Sequence, residues 1–120
     1  MFINFTNHPS AKWSTNQLND AKIYGDIIDI PFPEVNPDGD ENYITQLANQ
    51  YVSEILKCNP VAVLCQGEMT LAFRMANLLI SKGIAVLAAC SQRTVTEKIG
   101  ANGETIKNAE FHFVRFRKYL

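Results

Sequence analysis

Pro60–Gly83, PVAVLCQGEMTLAFRMANLLISKG, decides how this chain folds. Val61–Cys65 is a short, nearly continuous apolar run rich in β-branched residues, which reads as a buried strand. Gln66-Gly67-Glu68 breaks the pattern. From Met69 the apolar residues fall at Met69, Phe73, Ala76, Leu79 and Ile80, close to a 3.6-residue period, so a helix covering one sheet face is expected. Gly83 ends it, and Ile84–Ala88 begins another apolar run. Strand, tight turn, helix, glycine and strand make a βαβ unit, whose crossover is right-handed.

Working outward, Phe2–Phe5 reads as a first strand and Thr6–Ser10, TNHPS, as a polar loop. Ser14 or Thr15 caps a short helix to about Lys22, with Trp13 placed to pack against Leu18. Ile27–Ile30 is the second strand. Pro31–Glu41, with three prolines and Asp38-Gly39, is irregular. Asp40 or Glu41 opens a long helix whose apolar stripe is Ile44, Leu47, Ala48, Tyr51, Val52, Ile55 and Leu56, and Asn59-Pro60 stops it. After Cys90 the pattern changes. Ala101-Asn102-Gly103 between Thr94–Lys98 and Thr105–Lys107 is a hairpin signal, with a short helix through Val95–Ile99 as the competing reading. Phe111–Tyr119 alternates as a final strand, with Phe111 and Phe113 on one side and His112, Val114 and Phe116 on the other.

The resulting architecture is a three-layer, Rossmann-like α/β domain over residues 1–120, mainly parallel, with sheet order 2-1-3-4 and shorter antiparallel strands at the C-terminal end. With only three helices, one sheet face is thinly covered, and a homodimer would cover it. Eleven basic against twelve acidic residues leave no global basic field, which argues against duplex nucleic acid as a partner. No segment approaches the roughly 20 apolar residues of a membrane span, and MFINFTNHPS does not read as a signal peptide. Cys58, Cys65 and Cys90 are odd in number and lie in or beside apolar elements. They read as free, inert thiols in a reducing, cytoplasmic setting.

In open α/β sheets the ligand site lies beyond the strand C-termini, where the strand order reverses. Three loops converge there: Thr6–Ser10, Gln66–Glu68 and Ala89–Thr94. They supply Asn7, His8, Ser10, Gln66, Ser91, Gln92, Arg93 and Thr94, a set rich in hydrogen-bonding groups with one fixed cation. It suits a phosphate or nucleotide better than a metal, and no metal-ligand spacing links the two histidines. Gly67 lets the backbone turn into the third helix, either as plain geometry or to approach a ligand. Glu68 either caps that helix or leaves its first N–H groups open to an anion. His8 is either a loop histidine bonded to backbone or a ligand contact and general acid–base group. Arg93 is either a bidentate phosphate contact or a salt-bridge partner of Glu68 or Glu97. Arg115 and Arg117 form a small basic-aromatic stripe that would bind single strands or guard an edge strand. Neither a phosphate-binding P-loop nor a GxGxxG fingerprint is present.

With NFTNHPS after the first strand and SQRT after the fourth, the chain resembles the small stand-alone CRISPR-associated Rossmann-like (CARF-like) proteins. Those are related to antiviral sensor domains that bind cyclic oligoadenylates, and some are ring nucleases that cleave them. The resemblance implies a symmetric ligand held across a homodimer without a cofactor. Asn7, His8 and Ser10 would contact it from one loop, and Gln66, Gly67, Ser91, Gln92, Arg93 and Thr94 from the others. It also implies metal-independent cleavage through the ligand's own 2′-hydroxyl, with His8 and Arg93 as the catalytic candidates. The chain departs from this pattern in having no lysine in the three loops. A non-catalytic nucleotide sensor or protein-interaction module, and an enzyme acting on a small phosphorylated substrate, are the alternatives.

Overall fold

The computed structural model describes residues Met1–Leu120. Five strands form one sheet in the order β2-β1-β3-β4-β5, with β1 Phe2–Phe5, β2 Ile27–Asp29, β3 Ala62–Cys65, β4 Ala85–Ile99 and β5 Thr105–Lys118. The first four are parallel and β5 runs antiparallel to β4. Three helices connect them: α1 Thr15–Lys22, α2 Glu41–Leu56 and α3 Met69–Ser81. A single 3₁₀ turn at Ser10–Lys12 precedes α1. This is the mainly parallel α/β sheet expected from the sequence, and its order reverses between β1 and β3.

The caps follow from short polar side chains at the expected places. Ser14 Oγ accepts from Gln17 N–H at 3.2 Å, and Asp40 accepts from Tyr43 N–H at 2.9 Å. Both helices therefore start with one of their orphan donors satisfied.

Strand alternation divides the core. Ile3, Phe5, Val63, Cys65 and Val86 point to one face, which α2 and α3 cover through Ala48, Val52, Ile55, Leu71, Met75 and Leu79. Phe2, Ala62, Leu64 and Leu87 point to the other, where Trp13, Ala21 and Phe116 meet them. Only the eight-residue α1 lies on that second face, and aromatic rings make up the deficit. The Phe2 ring lies 6.1 Å from that of Trp13, 5.9 Å from Tyr24 and 5.3 Å from Phe116.

Three details differ from the sequence reading. The buried stripe of α3 is Leu71, Ala72, Met75, Ala76 and Leu79, while Met69 and Phe73 are exposed. Both stripes have helical spacing and share Ala76 and Leu79, and the observed phase is the one that joins the core with α2 and the sheet. Second, Ala89–Thr94 is not a loop. β4 continues through it to Ile99 and pairs with β5 down to Ile99–Thr105, so the two longest strands are the C-terminal ones. Their β-branched residues favour extension over a helix at Val95–Ile99. The turn at Gly100–Glu104 closes through Gly100 N–H to Glu104 O at 2.7 Å and needs Gly103 at φ +78°. Third, Phe116 shares a face with Phe113, the side opposite to simple alternation. The register skips between Cys90–Arg115 and Ser91–Phe113, leaving Val114 as a bulge residue. One extra residue inverts the parity of everything beyond it, and the rings of Phe113 and Phe116 meet at 4.9 Å.

Candidate functional site

The chain leaves β1 toward β2 on one side and reaches β3 on the other, so the loops after β1 and β3 part and open a cleft. Its volume is about 820 Å³, within the usual range for small-molecule sites. Leu64 and Ala89 form apolar parts of its lining, Trp13, Phe111 and Phe113 supply aromatic surface, and Thr6, Asn7, His8, Gln66, Gly67 and Ser91 bring in the strand ends. Lys12, Ser14 and Gln17 enter from the 3₁₀ turn and the first turn of α1. No carboxylate lines it.

A buried polar network holds the Thr6–His8 loop. Asn4 is 1% exposed. Its Nδ2 donates to His8 O and to Asp29 Oδ1, both at 2.9 Å, and its Oδ1 accepts from Thr6 Oγ1 at 2.7 Å. Thr6 Oγ1 in turn accepts from His8 N–H at 3.1 Å, and Trp13 Nε1 donates to His8 O at 3.0 Å. The backbone of His8 is thus fixed from three sides while its side chain stays exposed at the cleft. Asp29, the acid closest in this network, also accepts from Ser10 Oγ at 3.0 Å.

Of the residues expected at the site, Asn7, His8, Gln66, Gly67 and Ser91 meet in this cleft. Ser10 does not line it and is instead bonded to Asp29. Gln92 and Thr94 pair with His112 and Glu110 and fall on the opposite face from Ser91. Arg93 shares Ser91's face but lies two residues further out, about 7 Å along the strand; its partner Phe111 lines the cleft, whereas Arg93 itself does not. It makes no ion pair: Glu97 is bridged by Lys107 at 3.6 Å, and Glu68 is engaged elsewhere. All three displacements follow from β4 continuing where a loop was expected.

The turn after β3 settles the reading of Glu68 and gives Gly67 a packing role. Glu68 caps α3, accepting from Thr70 Oγ1 at 2.6 Å, Leu71 N–H at 2.9 Å and Thr70 N–H at 3.0 Å. The Thr70 hydroxyl, then the two backbone donors, hold its carboxyl below the ordinary carboxylate range. The Thr70 and Leu71 N–H groups at the N-terminus of α3 are therefore not open to an anion. At Gly67 a Cβ would overlap the Phe32 ring, so packing alone requires glycine there. Gln66 Oε1 accepts from Ala89 N–H at 2.9 Å, which ties β3 to β4 and leaves its amide N–H₂ as the free group.

Cys65 is fully buried, and desolvation pushes its thiol up to about 12. It has no nucleophilic character at neutral pH. Tyr119 fastens the end of β5 over it, with Oη donating to Cys65 O at 2.6 Å and the backbone N–H to Val86 O at 2.9 Å. No group of three or more His, Cys, Asp or Glu side chains is placed to hold a metal ion. No helix is long and apolar enough to cross a membrane.

Sequence reasoning missed Lys12, Ser14, Gln17 and the Phe111–Phe113 wall. For Gln17 a signal existed. Trp13, Gln17 and Ala21 are spaced i, i+4, i+8, which puts a carboxamide on the sheet-facing side of α1. The fold and cleft thus define a Rossmann-like α/β domain with an acid-free cavity at the strand-order reversal. More particularly, the chain belongs to the family described as Uncharacterized protein MJ1673, whose model matches residues 1–117. No curated protein and no solved structure gives a significant match.

Proposed function

We propose that this cleft binds a nucleotide or a cyclic oligoadenylate. One observation carries the reading: an open cavity at the strand C-termini combines aromatic surface, several amides and hydroxyls, one lysine and no carboxylate. Bases stack on aromatic rings, amides match base edges, and a cation without competing acids suits phosphate. Lys12 supplies the lysine that the three predicted loops lacked.

A homodimer belongs to the same proposal, because a ring larger than one cleft needs two. Beyond Ser91 the β4–β5 ribbon leaves the body of the domain, and the chain measures 55 Å along its longest axis. A two-stranded ribbon is marginal alone, and Val95, Ile99 and Ile106 are exposed on this one. A second copy would cover them.

Cleavage is a second reading, favoured by the exposed His8 imidazole on a rigid backbone. In that reaction the ligand's 2′-oxygen attacks the adjacent phosphorus as His8 accepts its proton. The phosphorus–O5′ bond breaks, O5′ gains a proton from solvent, and a 2′,3′-cyclic phosphate remains. Here the protein contributes orientation and a proton acceptor.

The test incubates the purified protein with mononucleotides and with linear and cyclic oligoadenylates in the absence of added metal. Products are resolved chromatographically, and binding is read from the fluorescence of Trp13, the only tryptophan of the chain. Binding without turnover supports a sensor or sponge. Turnover lost in His8→Ala with binding retained supports the nuclease. The absence of both binding and turnover sinks the proposal.

A further inference from the structure

Gln17 is the most unusual polar residue of the cleft. It sits on the sheet-facing side of α1, in helical phase with fully buried Ala21, and is itself only 7% exposed. Its backbone N–H is taken by Ser14 Oγ, but its carboxamide takes part in none of the side-chain hydrogen bonds of the chain. No side-chain nitrogen or oxygen is sealed away without a partner, so this carboxamide opens into the cleft it lines. Such a group costs stability unless something pairs with it. An apolar residue at this core position would remove that cost.

We infer that Gln17 reads the base of the bound ligand, and that the base is adenine, recognised along its N6/N7 edge. The inference rests on the nucleotide reading of this site and extends it to specificity. A carboxamide presents one donor and one acceptor side by side, and it pairs bidentately with adenine N6–H₂ and N7. Guanine offers two acceptors along that edge, which arginine or lysine matches and a carboxamide does not. No arginine lines the cleft, and its one lysine is the exposed Lys12. Cytosine is read through its N4 amino group by a carboxylate, and none is present. Phe111 and Phe113, neighbours along the same strand, supply flat surface for a purine.

The experiment titrates the full chain with linear tetra-adenylate, its inosine counterpart and its 7-deaza-adenine counterpart, following Trp13 fluorescence. Inosine replaces the N6 donor by an acceptor, and 7-deaza-adenine deletes the N7 acceptor. The unmodified strand should bind tighter than either by roughly 5- to 150-fold, the span of one bidentate pair. Gln17→Met keeps the length and buried character of the side chain and should level the three affinities. Gln17→Ala, checked for native circular dichroism, should level them too. Equal binding of the three strands by the unaltered protein overturns the inference while leaving the nucleotide reading standing. A preference that survives both substitutions does the same. Failure of all three strands to bind overturns the inference, and failure of the mononucleotides and cyclic oligoadenylates as well overturns the reading with it.

Discussion

Replacing Gly67 by alanine isolates a single steric contact. The φ of Gly67 is not positive, so alanine meets no backbone penalty there. The added Cβ instead overlaps Cγ, Cδ1 and Cε1 of Phe32. That ring has nowhere to retreat, being 4% exposed with its centroid 4.8 Å from Phe5, which lies 5.3 Å from Tyr51. Overpacking of this kind costs about 1–3 kcal/mol. Phe32→Ala alone should cost about 3–5 kcal/mol as a large-to-small core change. In the double variant the new Cβ enters vacated space, so the total should approach that of Phe32→Ala, with a coupling of about 1–3 kcal/mol. Urea unfolding followed by Trp13 fluorescence and by circular dichroism measures all three. Strict additivity, or a neutral Gly67→Ala, would falsify the packing account. Nucleotide binding adds a second readout: if the double variant still fails to bind while folding normally, Gly67 also meets the ligand.

Other expectations concern the loop, the cation and alkaline pH. Asn4→Ala should cost about 2–3 kcal/mol, because it removes the three hydrogen bonds by which this buried side chain ties Thr6, His8 and Asp29 together; it should also weaken ligand binding, and unchanged thermal stability would refute the network's role. Lys12→Gln should weaken a phosphorylated ligand roughly tenfold and reduce the salt dependence of binding, whereas Arg93→Gln should do less; the reverse ranking would move the phosphate out of the cleft and onto the ribbon. The thiol of Cys65 rises from an ordinary 9.0 to about 12 on folding, so its contribution is complete below pH 9 and is lost as pH rises toward 12. Across that window the unfolded chain releases a proton that the folded chain keeps, worth up to about 4 kcal/mol. Tyr119, raised by desolvation and then by the neighbouring Cys65, acts in the same direction from pH 10 upward. Urea midpoints between pH 8 and 11 should therefore fall less steeply in Cys65→Ala than in the parent, and parallel slopes would contradict it.

Much of the site was legible because its anchors are local. TNHPS after a strand and a glycine turn after the next bring Asn7, His8, Gln66 and Gly67 to one place through strand periodicity and the reversal rule alone. Glu68 as a cap was equally readable, since the donors it satisfies lie two and three residues on. Arg93 was placed in a loop rather than a strand because both share the composition Ser-Gln-Arg-Thr. Only pairing with β5, some 20 residues later, shows that β4 does not end at Ala88. The α3 stripe held at Ala76 and Leu79 and failed at its start for a related reason: Met69/Phe73 and Leu71/Met75 are both spaced like a helix face.

By itself the sequence determined the element order, the caps, the parallel core and its strand order, because turn chemistry, hydrophobic period and crossover handedness act over short spans or as general rules. Tertiary structure alone decided which further residues join Asn7, His8, Gln66 and Gly67 in the cleft and which expected ones stay outside it. The Val114 bulge turns Phe116 onto the α1 face with Phe113, the Phe32 ring makes Gly67 obligatory, and the 3₁₀ turn and α1 bring Lys12 and Gln17 to the cleft. Each depends on contacts between residues far apart in the chain, and nothing in local spacing records how two distant surfaces meet.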